Sequence, residues 1–200
     1  MNYLAHLLLS HDSEEAILGA MLGDFLKGPL DAIDSPAIRE AASLHRYVDR
    51  YTDSHAVVLS SRRRVSEKRR RFAPVMVDMF YDHFVARHWN DYSAIPLPAF
   101  AQSVYDVLHA HRATLPSRLQ TVAARMAAGD WLSAYTDLPG MHAAIDGIAR
   151  RLERFRRAAV LRGGAEELQT NYVAFERDFE LFFPELQSYV RDCHRVGRAA

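Results

Sequence analysis

The chain is poor in the features that mark secreted, membrane-spanning or strongly charged proteins. Its 200 residues contain one cysteine, Cys193, which excludes an internal disulfide and fits a reducing compartment. No apolar run approaches the roughly 18–20 residues needed to cross a bilayer, so we expect no membrane insertion and a cytoplasmic location. The formal net charge is zero, and no global field therefore draws the chain toward nucleic acid or anionic lipid.

Several catalytic motifs are missing as well. The sequence has no glycine-rich phosphate loop, no nucleophile elbow and no CxxC pair, so loop-based nucleotide binding and thiol chemistry have no support. No segment alternates convincingly with the period of two that is typical of strands. With 49% hydrophobic and 25% charged residues, the composition is that of a globular protein, and we predict a single domain over residues 1–200.

What is present is helical periodicity along almost the whole chain. Every proline falls near a proposed helix start or in a connection, where proline is tolerated. We therefore predict an all-α, single-domain bundle of about eight to ten helices with short connections. The predicted helices are 2–10, 14–27, 36–52, 55–70, 75–90, 97–111, 117–129, 139–157, 165–181 and 183–195.

The helix predicted at 75–90 combines apolar residues at nearly every angle with ionisable ones. A helix that is apolar all round is normally buried. Buried ionisable groups are costly unless they are paired, hydrogen-bonded or bound to metal. This segment nevertheless carries Asp78 and Asp82 one turn apart, and His83 and Arg87 one turn apart on the adjoining face. The pattern indicates a functional site.

A second helix, 36–52, carries a stripe of possible metal ligands. His45, Asp49 and Asp53 follow one another at intervals of four residues and drift by only about 40° per step. Imidazole and carboxylate groups on one stripe suit Mn²⁺, Fe²⁺ or Mg²⁺. An exposed charge ladder with Arg46 and Arg50 explains the same spacing equally well. Two such helices in one small domain favour a site.

His6 and Asp24 are further candidates in apolar surroundings. His6 lies within an otherwise apolar run, where a lone histidine is more often a satisfied core residue than a ligand. Asp24 lies on an apolar helix whose N-cap is assigned to Asp12 or Ser13, which leaves a buried pair or a metal as its role.

Residues 62–71, here called the basic segment, concentrate positive charge. The usual explanation for such a run is a solvated helix face, and the functional one is a docking surface for an acidic partner. Nucleic acid is disfavoured because no aromatic residues interleave with the arginines. The candidate docking residues are Arg62, Arg63, Arg64, Arg69 and Arg70.

Several motifs, in order and spacing, resemble those of the bacterial acyl carrier protein phosphodiesterases. The resemblance spans nearly the whole chain and is strongest in its first half. It rests on Met1-Asn2-Tyr3-Leu4-Ala5-His6-Leu7, Gly23-Asp24-Phe25, His45-Arg46-x-x-Asp49 with Thr52-Asp53, and Ala73-Pro74 followed by Asp82-His83-Phe84-x-x-Arg87-His88-Trp89.

This resemblance implies an HD-like metal hydrolase that removes 4′-phosphopantetheine from a serine of acyl carrier protein. It implies a divalent metal, typically Mn²⁺, with Mg²⁺, Fe²⁺ or Co²⁺ as alternatives, and a metal-activated water. The central pair reads Asp82-His83, which departs from the His-Asp order of HD proteins. The residues that it assigns to the metal centre are Asp24, His45, Asp49, Asp82 and His83, with His6, Asp53 and Asp78 in support.

The same resemblance suggests roles for the remaining cations. Arg46 or Arg87 would neutralise the phosphoryl oxygens, and the acidic carrier protein would dock on the basic segment. Two other functions fit the residues. One is an HD-like hydrolase of a nucleotide or another small phosphate ester, and the other is a non-catalytic helical binding module whose buried charges are only structural.

Overall fold

The structure is a computed structural model that describes residues 1–10, 13–151 and 156–197. Within these ranges it contains eleven α-helices, four short 3₁₀ segments and no strand, so the all-α prediction is confirmed. The α-helices are α1 Tyr3–Ser10, α2 Glu14–Leu22, α3 Pro36–Ser54, α4 Ala56–Arg64, α5 Ala73–Arg87, α6 Leu97–Ala110, α7 Ser117–Ala128, α8 Trp131–Ala134, α9 Leu138–Arg151, α10 Ala165–Thr170 and α11 Tyr172–Gly197. The 3₁₀ segments are Glu67–Phe72, Trp89–Asp91, Arg112–Thr114 and Arg156–Leu161.

Helix α5 runs through the middle of the bundle and contacts α1, α4, α9 and α11. From Met79 to Ala86 every one of its side chains is buried, including those of Asp82 and His83. The prediction that this apolar helix is internal is therefore confirmed, and its ionisable groups must find partners inside the protein.

Helix α11 is the longest element, at 26 residues, and it contains Pro184 in its interior. A helix end predicted beside this proline is therefore wrong. Its phenylalanines Phe175, Phe179, Phe182 and Phe183 are fully buried. Burying each ring contributes about 1.5–3 kcal/mol, which together exceeds the cost of about 3 kcal/mol for an interior proline. Core packing therefore keeps the helix continuous.

Two predicted helices end earlier than their periodicity indicates. Helix α2 ends at Leu22 instead of residue 27, and α4 ends at Arg64 instead of residue 70. The backbone turns extended at Val65, and the Ser66 N–H donates a 3.1 Å hydrogen bond to the Glu167 carboxylate. A tertiary contact thus takes the place of a further helical turn.

Helices α2 and α3 pack against each other more closely than ordinary side chains allow. A Cβ atom at Gly19 would lie 2.5 Å from the Ala41 Cβ and 2.5 Å from the Ile38 carbonyl oxygen. The glycine therefore brings the two helix backbones together, and this approach places the end of α2 beside the middle of α3.

The remaining predictions concern the C-terminal third and the membrane. The helix predicted at 139–157 appears as α9, and residues 152–155 lie outside the described residues. Among the described helices, none combines the length and the apolar character that a bilayer-crossing helix requires.

Candidate metal centre

Two buried imidazoles form the floor of the site. His6 on α1 and His45 on α3 are each about 3% exposed, and their rings stack at 3.6 Å between centroids with an interplanar angle of 9°. The Nδ1 of His45 lies 2.7 Å from the Ala20 carbonyl oxygen and donates to it. This bond fixes the ring orientation and turns its Nε2 toward the carboxylates.

Asp49 connects the two imidazoles. One carboxylate oxygen lies 3.0 Å from the His6 Nε2, and the other lies 3.3 Å from the His45 Nε2. An oxygen of Asp24, in the loop after α2, is also 3.3 Å from the His45 Nε2. The side chains of Asp24 and Asp49 are 47% and 39% exposed, so the carboxylate side of the site is open to solvent.

These residues fit a divalent cation. Ligand atoms of His6, His45 and Asp49 lie within 4.8 Å of one another. Among the described residues, this is the only group of three or more such side chains close enough to hold a metal ion. The buried Nε2 of His45 lacks a hydrogen bond of acceptable geometry, although carboxylates surround it. Mixed imidazole and carboxylate ligands are typical of first-row divalent ions. The backbone carbonyl behind His45 supplies the outer contact that metal-bound histidines usually have. We call these three residues the His–Asp cluster.

Burial and charge act in opposite directions on the cluster. Burial lowers the pKa of His6 to about 4, and the neighbouring His45 adds to the effect. Burial also lowers the pKa of His45, but the Asp24 and Asp49 carboxylates outweigh it and raise that pKa to about 9. The imidazoles in turn hold the pKa values of both aspartates below their usual range, despite burial. The site therefore offers anionic oxygens, together with a proton on His45 that a bound cation would have to displace.

From these pKa values we predict that metal affinity rises with pH. A metal needs the unprotonated Nε2 of His45, whose folded pKa of about 9 means that a proton occupies it at neutral pH. Below that value, affinity should fall by about tenfold per pH unit if one proton is displaced. Anaerobic Mn²⁺ titrations of metal-stripped protein between about pH 6 and about pH 9 measure this. An affinity independent of pH over that interval would contradict proton displacement.

Asp82 does not have the environment of a metal ligand. Its side chain is fully buried, and its two oxygens accept backbone N–H groups of Leu4 at 2.7 Å and Ala5 at 3.1 Å. Burial raises the pKa of Asp82 to about 7, although both hydrogen bonds act in the opposite direction. The carboxylate thus contacts the first turn of α1, and it is not part of the His–Asp cluster.

His83 also lies outside the cluster. Its Nδ1 donates to the Tyr135 carbonyl oxygen at 2.7 Å, and its Nε2 lies 3.0 Å from the Tyr172 hydroxyl, from which it accepts. Both ring nitrogens are therefore occupied by protein groups. Arg87 is exposed and interacts with Tyr172, on the same side as His83. The predicted convergence of His83 and Arg87 with His45 is thus not observed.

The other acidic candidates form a neighbouring ion-pair network. Asp53 pairs with Arg62, and Asp78 lies 3.8 Å from the same guanidinium group. The Met1 amino group lies 3.5 Å from both Asp49 and Asp78. Asp53 and Asp78 therefore adjoin the His–Asp cluster without belonging to it.

Arg46 has a structural role in this arrangement. Its guanidinium donates to the carbonyl oxygens of Leu26 and Gly28, each at 2.7 Å. These bonds hold the loop that carries Asp24 and use two of the five guanidinium N–H groups. The predicted contact of Arg46 with a phosphoryl group would have to use the remaining three.

The basic segment is only partly exposed, so fewer of its arginines than predicted are available to a partner. The Arg69 side chain is 7% exposed and pairs with Glu167, while that of Arg62 is 14% exposed and pairs with Asp53. Arg64 pairs with Asp178 at 3.1 Å. Glu167 and Asp178 are distant in sequence from their arginines, and none of the three pairs has helical spacing. Considering only contacts among the described residues, the exposed cations of this segment without a carboxylate partner are Arg63, Lys68, Arg70 and Arg71.

Sequence reasoning missed Gly23, which allows the site to close. A Cβ atom at Gly23 would lie 2.3 Å from the His45 Cγ and 2.6 Å from its Cβ. The residue directly before Asp24 must therefore be small, or the loop cannot approach the imidazole. The Gly-Asp pair is the sequence signal, but only the position of His45 explains it.

Comparisons with known proteins identify the family. The family model described as acyl carrier protein phosphodiesterase matches residues 1–186. A relative of that name from Serratia proteamaculans is 34% identical over 193 residues, which cover 96% of this chain and 98% of the relative. Another from Yersinia enterocolitica is 32% identical over 96% of this chain and 98% of its own length. No solved structure gave a significant match. The chain belongs to the acyl carrier protein phosphodiesterase family.

Proposed function

We propose that the protein hydrolyses the phosphodiester between 4′-phosphopantetheine and the serine of holo-acyl carrier protein. The products are apo-acyl carrier protein and free 4′-phosphopantetheine. The observation that carries this proposal is a solvent-open His–Asp cluster in a chain that matches the family model from residue 1 to 186. Hydrolysis of a phosphodiester at neutral pH needs charge stabilisation at phosphorus, and a divalent cation held by this cluster would provide it.

We further propose that His6, His45 and Asp49 bind the cation, with Asp24 as a fourth ligand or water contact, and that the cation is Mn²⁺. Mg²⁺, Fe²⁺ and Co²⁺ are the alternatives for a set of imidazoles and carboxylates. When bound, such a cation supplies Lewis acidity and lowers the pKa of water. Asp24 is half-exposed and has a lowered pKa, so it stays a carboxylate that can orient the water through a hydrogen bond.

The reaction balances without any further reactant. Water oxygen attacks phosphorus, the bond between phosphorus and the serine oxygen breaks, and the serine oxygen takes up a proton as it leaves. In water enriched in oxygen-18, the released 4′-phosphopantetheine should carry the label. Label in the serine of the carrier protein would mean attack at carbon and would contradict this mechanism.

Carrier-protein docking on the basic segment is a separate proposal, now limited to its exposed cations. Arg62 pairs with Asp53 and approaches Asp78, and Asp78 shares the Met1 amino group with Asp49. This chain of contacts places the start of the basic segment beside the opening of the His–Asp cluster. We infer that an acidic protein that presents its modified serine to the cluster reaches the exposed cations that follow Arg62 in the chain.

We predict that reversing Arg63, Arg70 and Arg71 to glutamate raises KM for holo-carrier protein by about tenfold or more at low salt. Exposed charges of one sign steer an oppositely charged partner, and salt screens the effect. Steady-state kinetics at two ionic strengths give the measurement. The matched control reverses three exposed arginines elsewhere, Arg112, Arg125 and Arg191. Equal KM values for the two triple variants would show that the basic segment is an ordinary solvated face and does not dock the carrier protein.

A further inference from the structure

Helix α1 carries His6, yet it is too short to define its own position. It has eight residues and no acidic residue in its first turn. Helices shorter than about 12–15 residues are marginal by themselves in water. The first turn of any helix also leaves backbone N–H groups without intrahelical partners. The placement of His6 therefore depends on whatever holds the start of α1.

Asp82 of α5 supplies that contact. It is fully buried, and each of its oxygens accepts one N–H group from the first turn of α1, at 2.7 Å from Leu4 and 3.1 Å from Ala5. A carboxylate at a helix N-terminus is also favoured by the helix dipole. Because α5 is the central helix of the bundle, this contact ties α1 to the buried core.

The two N–H donors directly precede His6 in the chain. A shift of the first turn of α1 therefore moves the His6 ring, which stacks 3.6 Å from His45 and lies 3.0 Å from Asp49. We propose that Asp82 is a positioning residue of the metal centre, which sets the register of α1 so that His6 faces His45 and Asp49. This inference rests on the proposed metal function and replaces the ligand role predicted for Asp82.

Replacing Asp82 by asparagine distinguishes a positioning residue from a metal ligand. Asparagine has nearly the same shape, but it offers one oxygen acceptor and an NH₂ group that faces the second backbone N–H. One hydrogen bond and the charge at the helix terminus are lost. Loss of an outer contact to a metal ligand typically lowers metal affinity by about 10–100-fold, and we expect this range for Asp82→Asn.

The matched control is Asp178→Asn. Asp178 is also buried, and its carboxylate accepts hydrogen bonds from Ser61 and Arg64, away from α1. Both variants lose a buried carboxylate, so a general loss of stability is common to them. Only Asp82→Asn should lower Mn²⁺ affinity, remove one of two histidine nitrogens from the electron–nuclear double resonance spectrum, and reduce kcat with little change in KM.

The same variants are compared without metal, by histidine ¹⁵N NMR and by amide hydrogen exchange in α1. Asp82→Asn should shift the His6 resonances and accelerate exchange in α1, whereas Asp178→Asn should not. If Asp82→Asn does not fold, Asp82→Glu is compared with Asp178→Glu by the same readouts, because glutamate keeps the charge but displaces α1.

The outcomes separate this inference from the proposed function. Wild-type affinity and two histidine nitrogens in a folded position-82 variant would overturn the positioning role. If the variant retained both histidine signals but lost a carboxylate ligand, Asp82 would be a metal ligand. That result would also overturn the positioning role. If the wild-type protein binds no Mn²⁺ but the His6 resonances still shift in Asp82→Asn, the positioning of His6 stands and the proposed metal function fails.

Discussion

Replacing Asp49 by asparagine should remove at least about 99% of the turnover on holo-acyl carrier protein. Asp49 is the residue that contacts both imidazoles of the His–Asp cluster, at 3.0 Å from His6 and 3.3 Å from His45. Loss of an outer contact costs about 10–100-fold in activity or affinity, and loss of a direct ligand should cost at least the upper value. The measurement is conversion of holo- to apo-carrier protein, together with Mn²⁺ affinity.

Asp106→Asn is the control for this substitution. Asp106 is an exposed carboxylate of α6 whose side-chain partner is Gln102, far from the cluster in the chain. Its removal should leave both turnover and affinity unchanged. Full activity of a folded Asp49→Asn variant would exclude the His–Asp cluster as the catalytic centre and favour a structural role for these charges.

Replacing Gly23 by alanine should damage the same site through sterics alone. The added methyl group would lie 2.3 Å from the His45 Cγ, a separation that real Cβ atoms do not show, so the loop or the imidazole must move. Either movement disturbs the 3.3 Å contact between Asp24 and His45. We expect Mn²⁺ affinity to fall by about tenfold or more and the protein to lose about 1–3 kcal/mol of stability through overpacking.

Gly147→Ala provides the comparison. Gly147 lies inside α9, and the nearest atom to a Cβ there is the end of the flexible Arg150 side chain at 3.8 Å. Alanine is a better helix former than glycine, so this variant should be as stable as the wild type or more stable, with normal affinity. If Gly23→Ala binds Mn²⁺ as tightly as Gly147→Ala does, the close approach of the Asp24 loop to the His45 imidazole is not needed for metal binding.

The parts of the site that lie on one helix could be predicted from the sequence. The spacing of His45 and Asp49 gives their shared face directly, and the structure places both in the cluster. The apolar character of α5 likewise indicated its burial. In both cases the information is local, because helix geometry fixes where residues four apart point.

Contacts between helices were not predictable in the same way. Asp82 and His83 were predicted to be metal-centre residues in a buried helix. They are buried, but their partners are the α1 backbone, the Tyr135 carbonyl and Tyr172, at separations of 52 to 89 residues. Arg69 was predicted to be an exposed cation, because its partner Glu167 lies 98 residues away and no local pattern reveals the pair. A one-dimensional pattern shows that a buried charge needs a partner, but it does not identify the partner.

Pro184 shows that a local sequence rule can fail when tertiary packing overrides it. A local rule places a helix boundary at an interior proline, yet α11 continues through it, with four buried phenylalanines in the turns that precede it. Tertiary packing exceeds the local preference there. The boundary of α4 at Arg64 has the same explanation, since Glu167 binds the Ser66 N–H.

The most direct test is an assay of metal-stripped protein on purified holo-acyl carrier protein, followed by mass spectrometry of the carrier protein and the released product. Without added metal, the carrier protein should keep the mass of its prosthetic group. After addition of Mn²⁺, it should lose that mass as free 4′-phosphopantetheine appears, and Asp49→Asn should show no such recovery. Full hydrolysis by the stripped protein, or none by the Mn²⁺-loaded wild type, would contradict a metal-dependent phosphodiesterase centred on His6, His45 and Asp49.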